Sequence, residues 1–527
     1  MDVIIIAGLS NSGRSQFGIL NKVVKDGRVM NYANLQRYFG IQPNPVLSDF
    51  STPYLAGIYL YSFLSRRGIR CGLINFLDKE MEQFQKLLSQ SPKAIALSST
   101  FLTDIRSVKK VTQMIRRLAP EIKIIMGGPL VYNSYLLYQL RNGDYDTASC
   151  THDYFFLNAE EYYYKDIDVF VIEEQGENTL YQVIEAIKKG RDYKKISNLA
   201  YYRNNHLVFT GRRAEDNSFT EDLILWDQVP DEYLSPVFPM RGSRGCPYRC
   251  RYCNFSPNRA FRLKSAEIVG QEIAALAKTG KVKLIRFTDD NLFLNFKKVE
   301  EYCRKIMEVG KGMRWSSFIR ANSISRESVK LLRDSGCIST MIGMESGNKN
   351  ILKEMKKEDT PERYIETVEL LNQHGISTQL TFLIGFPGET LETIEDTVNL
   401  INQFQHQGPA INEVSVFPFI LLPLSPIYSP ENRKKYNLQG HMMNWSHDTM
   451  NSENARQQAG ELFFKVKQIH CHYGVEELLM LNAIELKKVA EIRSQICRAE
   501  KAQDSPQHIE ELWNDLKKLI LSNNPGP

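Results

Sequence analysis

The chain has 527 residues, of which 43% are hydrophobic and 24% charged; this is too long for one core and ordinary for a soluble protein of about three or four domains. Its net charge, 66 minus 61 or +5, is spread without a basic block and argues against a nucleic-acid partner. No segment reaches the ~18 uninterrupted apolar residues of a membrane span, and nine scattered cysteines exclude a secreted disulfide framework.

In chain order, the first 200 residues alternate apolar runs with helical patterns. Strands are expected at 2–8, 69–76, 93–99, 122–128 and 167–173, and helices near 53–66, 79–89, 104–118 and 177–189. Near-continuous apolar strands separated by helices indicate a parallel sheet covered on both faces, a doubly wound α/β domain over residues 1–190. Ligands of such folds bind beyond the carboxyl ends of the strands. The loops there are Ser98-Ser99-Thr100, Gly127-Gly128-Pro129 and Gln175-Gly176-Glu177.

The opening MDVIIIAGLS has no basic region before its apolar run, so no signal peptide and a cytoplasmic location are expected. GLSNSGRS, residues 8–15, approaches a phosphate-binding loop, but Arg14 replaces the lysine and glycine breaks the segment that follows. Residues 131–166 form a long link with eight tyrosines; that density favours an ordered flap or contact surface.

Residues 191–236, with short strands and turns, are expected to be a linker. A second series then begins, with strands at 238–245, 282–290, 313–321, 337–345, 376–385 and 411–419 and helices near 265–279, 296–309, 326–335, 361–374 and 389–405. Six βα units suggest an open or partial barrel over 237–420, with chemistry on the loops at the carboxyl ends of its strands. Residues 421–527 are expected to be mainly helical.

GCPYRCRYCNFS follows the first of those strands and sets Cys246, Cys250 and Cys253 in a C-x₃-C-x₂-C array. Tetrahedral zinc wants four protein ligands, and no cysteine or histidine lies between 254 and 302. A 4Fe-4S cluster held by three thiolates keeps one iron open to a small chelating molecule. The array on a six-unit barrel closely resembles the radical S-adenosylmethionine (SAM) superfamily, in which the methionyl end of that cofactor fills the vacancy. Tyr252 matches the family's aromatic position before the third cysteine.

The resemblance implies further cofactor contacts. GMESG at 343–347 puts Glu345 at the end of the fourth barrel strand, suited to a cofactor hydroxyl or ammonium. FLIGFPGET at 382–390 puts Ile384 and Gly385 at the family's Gly-rich turn, where backbone can approach an adenine ring. Arg320, ending the third strand, is expected to fork onto the methionyl carboxylate. Where many members carry Gly-Gly-Glu after the second strand, this chain has Thr288-Asp289-Asp290-Asn291, with Asp289 the candidate amine contact.

A doubly wound domain before such a barrel resembles the cobalamin-binding domains of cobalamin-dependent radical SAM enzymes. That implies corrin contacts from Ser98, Ser99, Gly127, Gly128, Gly176 and Glu177. Free-standing cobalamin domains carry D-x-H-x-x-G at the first helix, whereas residues 49–57 read DFSTPYLAG without histidine. The resemblance implies reductive cleavage of SAM to a 5′-deoxyadenosyl radical, followed by methylation of an unactivated carbon of a small-molecule or peptide substrate. It also implies an external electron donor such as flavodoxin or ferredoxin. The rival expectation is a non-methylating rearrangement or cyclisation by the same cofactors. An RNA methylthiotransferase would need a second cysteine trio, and only Cys71 and Cys150 precede Cys246.

Overall fold

The computed structural model describes residues 1–10, 22–26, 28–42, 52–157, 166–204, 206–218, 223–255, 261–293, 295–310, 312–404, 408, 410–466 and 477–523. The candidate phosphate loop at 8–15 lies largely outside the described residues. Two units emerge: Met1–Phe17 with Pro53–Leu234 and Tyr428–Glu431, and Gly18–Thr52 with Ser235–Ile427 and Asn432–Pro527.

The first unit is built on β1 (Val3–Ile6), β2 (Cys71–Ile74), β3 (Ala94–Ser98), β4 (Lys123–Gly127) and β5 (Val169–Val171). They pair in parallel in the order β2-β1-β3-β4-β5. This is a doubly wound order whose switch point falls between β1 and β3. Both faces are covered, and β1 and β3 are buried throughout. Helices Leu55–Arg66, Met81–Leu88, Ile105–Leu118 and Glu177–Lys188 follow the expected pattern within two residues.

Two sequence expectations change here. Residues 191–236 are not a linker: β6 (Leu199–Arg203) and β7 (His206–Phe209) add antiparallel to the open edge of β5 and extend the sheet to seven strands. Their short, turn-bounded pattern carries no signal of the edge they complete. The tyrosine-rich link begins as a helix, Pro129–Leu140, with proline in its first turn. Its buried face mixes Leu130, Val131, Tyr132, Ser134 and Leu137, and apolar or aromatic residues on every side hide the period. Tyr145 from the same link stacks on Tyr428, and the Tyr428 hydroxyl donates to the Asp146 carbonyl at 3.0 Å.

The second unit centres on β8 (Val237–Met240), β9 (Leu284–Phe287), β10 (Arg314–Ile319), β11 (Cys337–Glu345), β12 (Ser377–Ile384) and β13 (Asn412–Pro418). All pair in parallel in chain order, as six consecutive βα units require. Their helices start where side chains cap them. Ser265, Asn295, Ser325, Thr360 and Thr390 each accept the N–H three residues on, satisfying a donor that the first turn leaves open. Along β12 the alternate residues Leu380, Phe382 and Ile384 are fully buried, whereas Ser377, Gln379 and Thr381 face the other way by the period-two rule.

Residues 18–52, expected within a domain spanning 1–190, belong to this second unit. The Tyr32 N–H donates to Glu477 Oε1 at 3.1 Å, and Glu477 forms a buried 2.7 Å ion pair with Arg493. The carboxyl-terminal part is helical over Ser452–Lys465, Ala483–Ala502 and Pro506–Ser522, as expected, but is preceded by a three-stranded antiparallel sheet over Gln439–Asn451. Among the described residues no helix is long and apolar enough to cross a membrane.

Candidate active site

The cysteine loop leaves the carboxyl end of β8 and is pinned along its length. Upstream, Asp289 accepts the Gly242 N–H at 2.9 Å and the Ser243 hydroxyl at 2.7 Å. Burial pushes its carboxyl up, working against those bonds. The candidate amine contact is thus spent on bracing the strand that delivers the loop. Within the loop, the Arg251 N–H donates to the Met355 carbonyl and the Ile427 N–H to the Arg251 carbonyl, both at 2.9 Å. The Arg251 guanidinium reaches the Glu354 carboxylate at 2.7 Å. Lys435 and the Tyr436 hydroxyl hold the same carboxylate, and these bonds lower it to about 2.

The three thiols have distinct surroundings. The Cys253 N–H donates to the Cys250 carbonyl at 3.1 Å, and the Phe255 N–H points at Cys253 Sγ at 3.4 Å. Burial pushes the Cys246 thiol up to about 11. Among the described residues no three His, Cys, Asp or Glu side chains gather as a single metal ion needs.

Glu345, ending β11, is brought to the same end of the sheet as the cysteine loop. Its backbone sits in the left-handed region at φ +69°, an uncommon state for glutamate and one found at functional sites. Its Oε1 accepts the Tyr252 hydroxyl at 2.9 Å and the Lys357 ammonium at 3.0 Å. Burial first, and then the adjacent Glu345 charge, drive the Tyr252 hydroxyl well above its usual range. Gly343 is dictated by this arrangement: a Cβ there would fall on the Glu345 carboxylate and 3.1 Å from Lys357 Nζ. Lys357 itself lies between two left-handed residues, Lys356 and Glu358.

Arg320 directly follows β10, at the end of the third barrel strand as expected, and faces the cysteine loop. Its Nη1 points at Cys250 Sγ at 3.6 Å, its Nη2 bonds the Lys357 carbonyl, and its guanidinium lies 3.8 Å from the Tyr248 ring centroid. Each terminal nitrogen carries two N–H groups, so these contacts occupy only part of the guanidinium's donors.

Ile384 is fully buried, and Gly385 turns the chain at φ +99°. Its N–H donates to Glu389 Oε2 at 2.6 Å and its carbonyl meets His447 Nε2 at 3.1 Å. A Cβ at Gly385 would strike Ala455 Cβ at 2.6 Å and Trp445 Cη2 at 2.7 Å, so close packing as well as φ demands glycine. Trp445 stacks on His447, with ring planes 4° apart.

Residues 240–401 match the family described as the Radical SAM superfamily. Over that stretch the chain is similar to radical SAM proteins. A methyltransferase of Pyrococcus horikoshii, itself uncharacterised, is 31% identical over 235 residues, covering 43% of this chain and 51% of that protein. An anaerobic magnesium-protoporphyrin IX monomethyl ester cyclase of Rubrivivax gelatinosus is 27% identical over 244 residues, covering 44% of each. The chain thus spans about half the length of these curated relatives. The cobalamin-dependent SAM radical enzyme OxsB, solved with aqua-cobalamin and SAM, superposes with a TM-score of 0.57 at 14% identity, over 99% of this chain and 79% of its own. That likeness in fold extends beyond residues 240–401 to the doubly wound unit.

In the doubly wound unit the three candidate loops divide into two kinds. At the β3 and β4 ends, the Ser98 hydroxyl donates to Thr100 Oγ1 at 3.1 Å and the Ser99 hydroxyl to the Gly127 carbonyl at 2.9 Å. Gly128 has φ +105°, and a Cβ there would come 2.8 Å from Ser99 Oγ. Beside them Tyr54 stacks on Phe101 with centroids 3.7 Å apart, in a hydrophobic cluster with Ala7 and Phe76. The third loop is already used. The Glu215 carboxylate caps the Asn178 and Thr179 N–H groups at 2.9 Å each, and Asn217 Nδ2 donates to Glu177 at 2.6 Å. Gly176 is required because a Cβ would collide with the Val171 side chain.

The sequence reading missed Lys357, Tyr248 and Glu354. Lys357 and Glu354 lie in KEMKKEDT, a charged run that reads as a solvated helix end; Lys357 is nevertheless only 4% exposed. A Glu–Lys pair twelve residues apart fits no helical or strand spacing, so only the turn after β11 reveals it.

Proposed function

We propose that the chain is a cobalamin-dependent radical SAM enzyme that methylates an unactivated carbon of a small-molecule or peptide substrate. The observation that carries this reading is the pairing of the Cys246, Cys250 and Cys253 loop with Glu345 through the Tyr252 hydroxyl at 2.9 Å. The donor set fits a 4Fe-4S cluster: three thiols on one braced loop, with a peptide N–H and a guanidinium N–H directed at two of the sulfurs. When bound, the cluster supplies the electron that cleaves SAM and cobalamin supplies the transferable methyl group.

The chain's own work is to bind, orient and keep dry. Glu345 Oε1 is taken by Tyr252 and Lys357, leaving Oε2 for a cofactor hydroxyl or ammonium. The Ile384–Gly385 backbone can lie against a flat base. Phe386, Phe419 and Trp445 close the apolar side behind it and lower water access. The loops at 98–100 and 127–128, beside the Tyr54–Phe101 pair, offer a corrin small polar groups and an aromatic surface without imidazole. The electron must come from an external donor, for which flavodoxin or ferredoxin is the proposed class.

The likeness to the cyclase supports a second reading, a non-methylating rearrangement or cyclisation with the same cofactors. The test is anaerobic reconstitution with iron and sulfide, followed by reduction in the presence of cobalamin and methyl-labelled SAM. Release of methionine and 5′-deoxyadenosine with label entering a product supports methylation. Cleavage with unlabelled rearranged product supports the second reading, and no cleavage by a cluster-loaded protein overturns both.

A further inference from the structure

The geometry points to Arg320 as a tuning residue that makes the cluster easier to reduce, by donating a charged N–H···S hydrogen bond to Cys250. This rests on the cluster assignment above and deepens it. Nη1 lies 3.6 Å from Cys250 Sγ, within the range of hydrogen bonds to sulfur. Arg320 and Cys250 are each 7% exposed, so water screens the pair little. Two contacts fix the guanidinium, the Tyr248 ring at 3.8 Å and the Lys357 carbonyl on Nη2, while the Ser323 hydroxyl donates to the Arg320 carbonyl at 2.7 Å and anchors its backbone. Tyr248 is itself held by Asn322 Nδ2 at 3.2 Å.

The sign follows from charge. One-electron reduction adds one negative charge to the cluster and its thiolates, with the electron coming from an external reductant. A fixed cation at the sulfur stabilises the reduced form more than the oxidised one, and hydrogen bonds to sulfur are a recognised lever on such potentials. A role as the methionyl-carboxylate fork would need SAM to matter; a tuning role acts without it.

The test is a redox titration of the reconstituted full chain without SAM. Dithionite and mediator dyes set the potential, and the reduced cluster is read by electron paramagnetic resonance. R320M is expected to lower the reduced-to-oxidised ratio at a fixed potential about tenfold, equivalent to about 59 mV for a one-electron couple. R320K, which keeps a cation but not the planar donor, falls between R320M and wild type. In wild type, deuterium exchange should reveal a solvent-exchangeable proton coupled to the cluster, and R320M should lose it. A loaded R320M with the wild-type ratio overturns the proposal. If R320M fails to hold a cluster, R320K decides: a lowered ratio supports the tuning role and an unchanged one overturns it. A wild-type chain that takes up no cluster overturns the underlying assignment as well, which distinguishes the two failures.

Discussion

The Lys357 ammonium lies 3.0 Å from Glu345 Oε1, and the two residues are only 4% and 7% exposed. A buried carboxylate deprived of its cation is costly, whereas the intact pair holds an ionised acceptor in one orientation. K357M is therefore expected to weaken SAM binding about tenfold or more and to lower the unfolding midpoint, with K357R restoring part of both. E345A should weaken binding by about 1.5 to 3 kcal/mol, the scale of a charge-assisted contact, with the cluster spectrum intact. Calorimetric titration of SAM into loaded variants checks this; unchanged affinity in E345A would remove Glu345 from the cofactor site.

The cysteine assignment makes a sharper demand. C246A, C250A and C253A should each abolish the 4Fe-4S absorbance and SAM cleavage after reconstitution. Alanine at Cys71, Cys303 or Cys337 should leave both in place, since Cys303 and Cys337 are fully buried elsewhere in the second unit and Cys71 lies on β2. Iron and sulfide analysis of the six variants is the measurement. Full loading of the triple variant would remove the loop as the cluster site.

Glu389 gives the stability of the chain a pH dependence. Burial raises its carboxyl from 4.5 to about 8 while the Gly385 and Phe386 N–H groups pull the other way. Because the folded value is the higher one, the fold favours the protonated form. Its contribution is complete below about pH 4.5, falls as pH rises to about 8 and is flat above. The loss is about 1.4 kcal/mol for each unit between the two values. E389Q keeps an acceptor for Gly385 and should unfold at the wild-type temperature near the acid end but above it near pH 8. Parallel pH curves for the two proteins would contradict this.

For cobalamin, the expected lower-face region at 51–54 carries Ser51, Thr52, Pro53 and Tyr54. Of the described part, the Tyr54 hydroxyl is committed to the Leu9 carbonyl at 2.9 Å and its ring to Phe101. No nitrogen ligand is offered there, so the cob(II)alamin form should lack nitrogen superhyperfine splitting in its electron paramagnetic resonance spectrum. A clear triplet would overturn the absence of an axial nitrogen. Failure to bind cobalamin would leave the first unit without its proposed ligand.

Periodicity and local spacing carried the sequence reading a long way. β11 and its expected strand coincide at 337–345, and the helix at 296–309 coincides residue for residue. Both signals lie within one turn or one pleat of their cause, and so does the C-x₃-C-x₂-C array, whose spacing is its chemistry. What the sequence could not fix is which partner each polar side chain takes. Asp289, Glu177 and Arg320 have the residue types a cofactor site would use. Folding spends the first on Gly242 and Ser243 and the second on Asn217, and it turns the third toward Cys250 of the cysteine loop. Glu345 is held through the one oxygen that both Lys357 and Tyr252 bind. The same holds for domain membership. Tyr32 joins Glu477 across 445 residues of chain, and β6 and β7 extend a sheet whose free edge exists only after β5 is in place. Local conformation is decided by neighbours in sequence, whereas satisfaction of buried donors and acceptors is decided by neighbours in space, and for this protein only the tertiary structure supplies those.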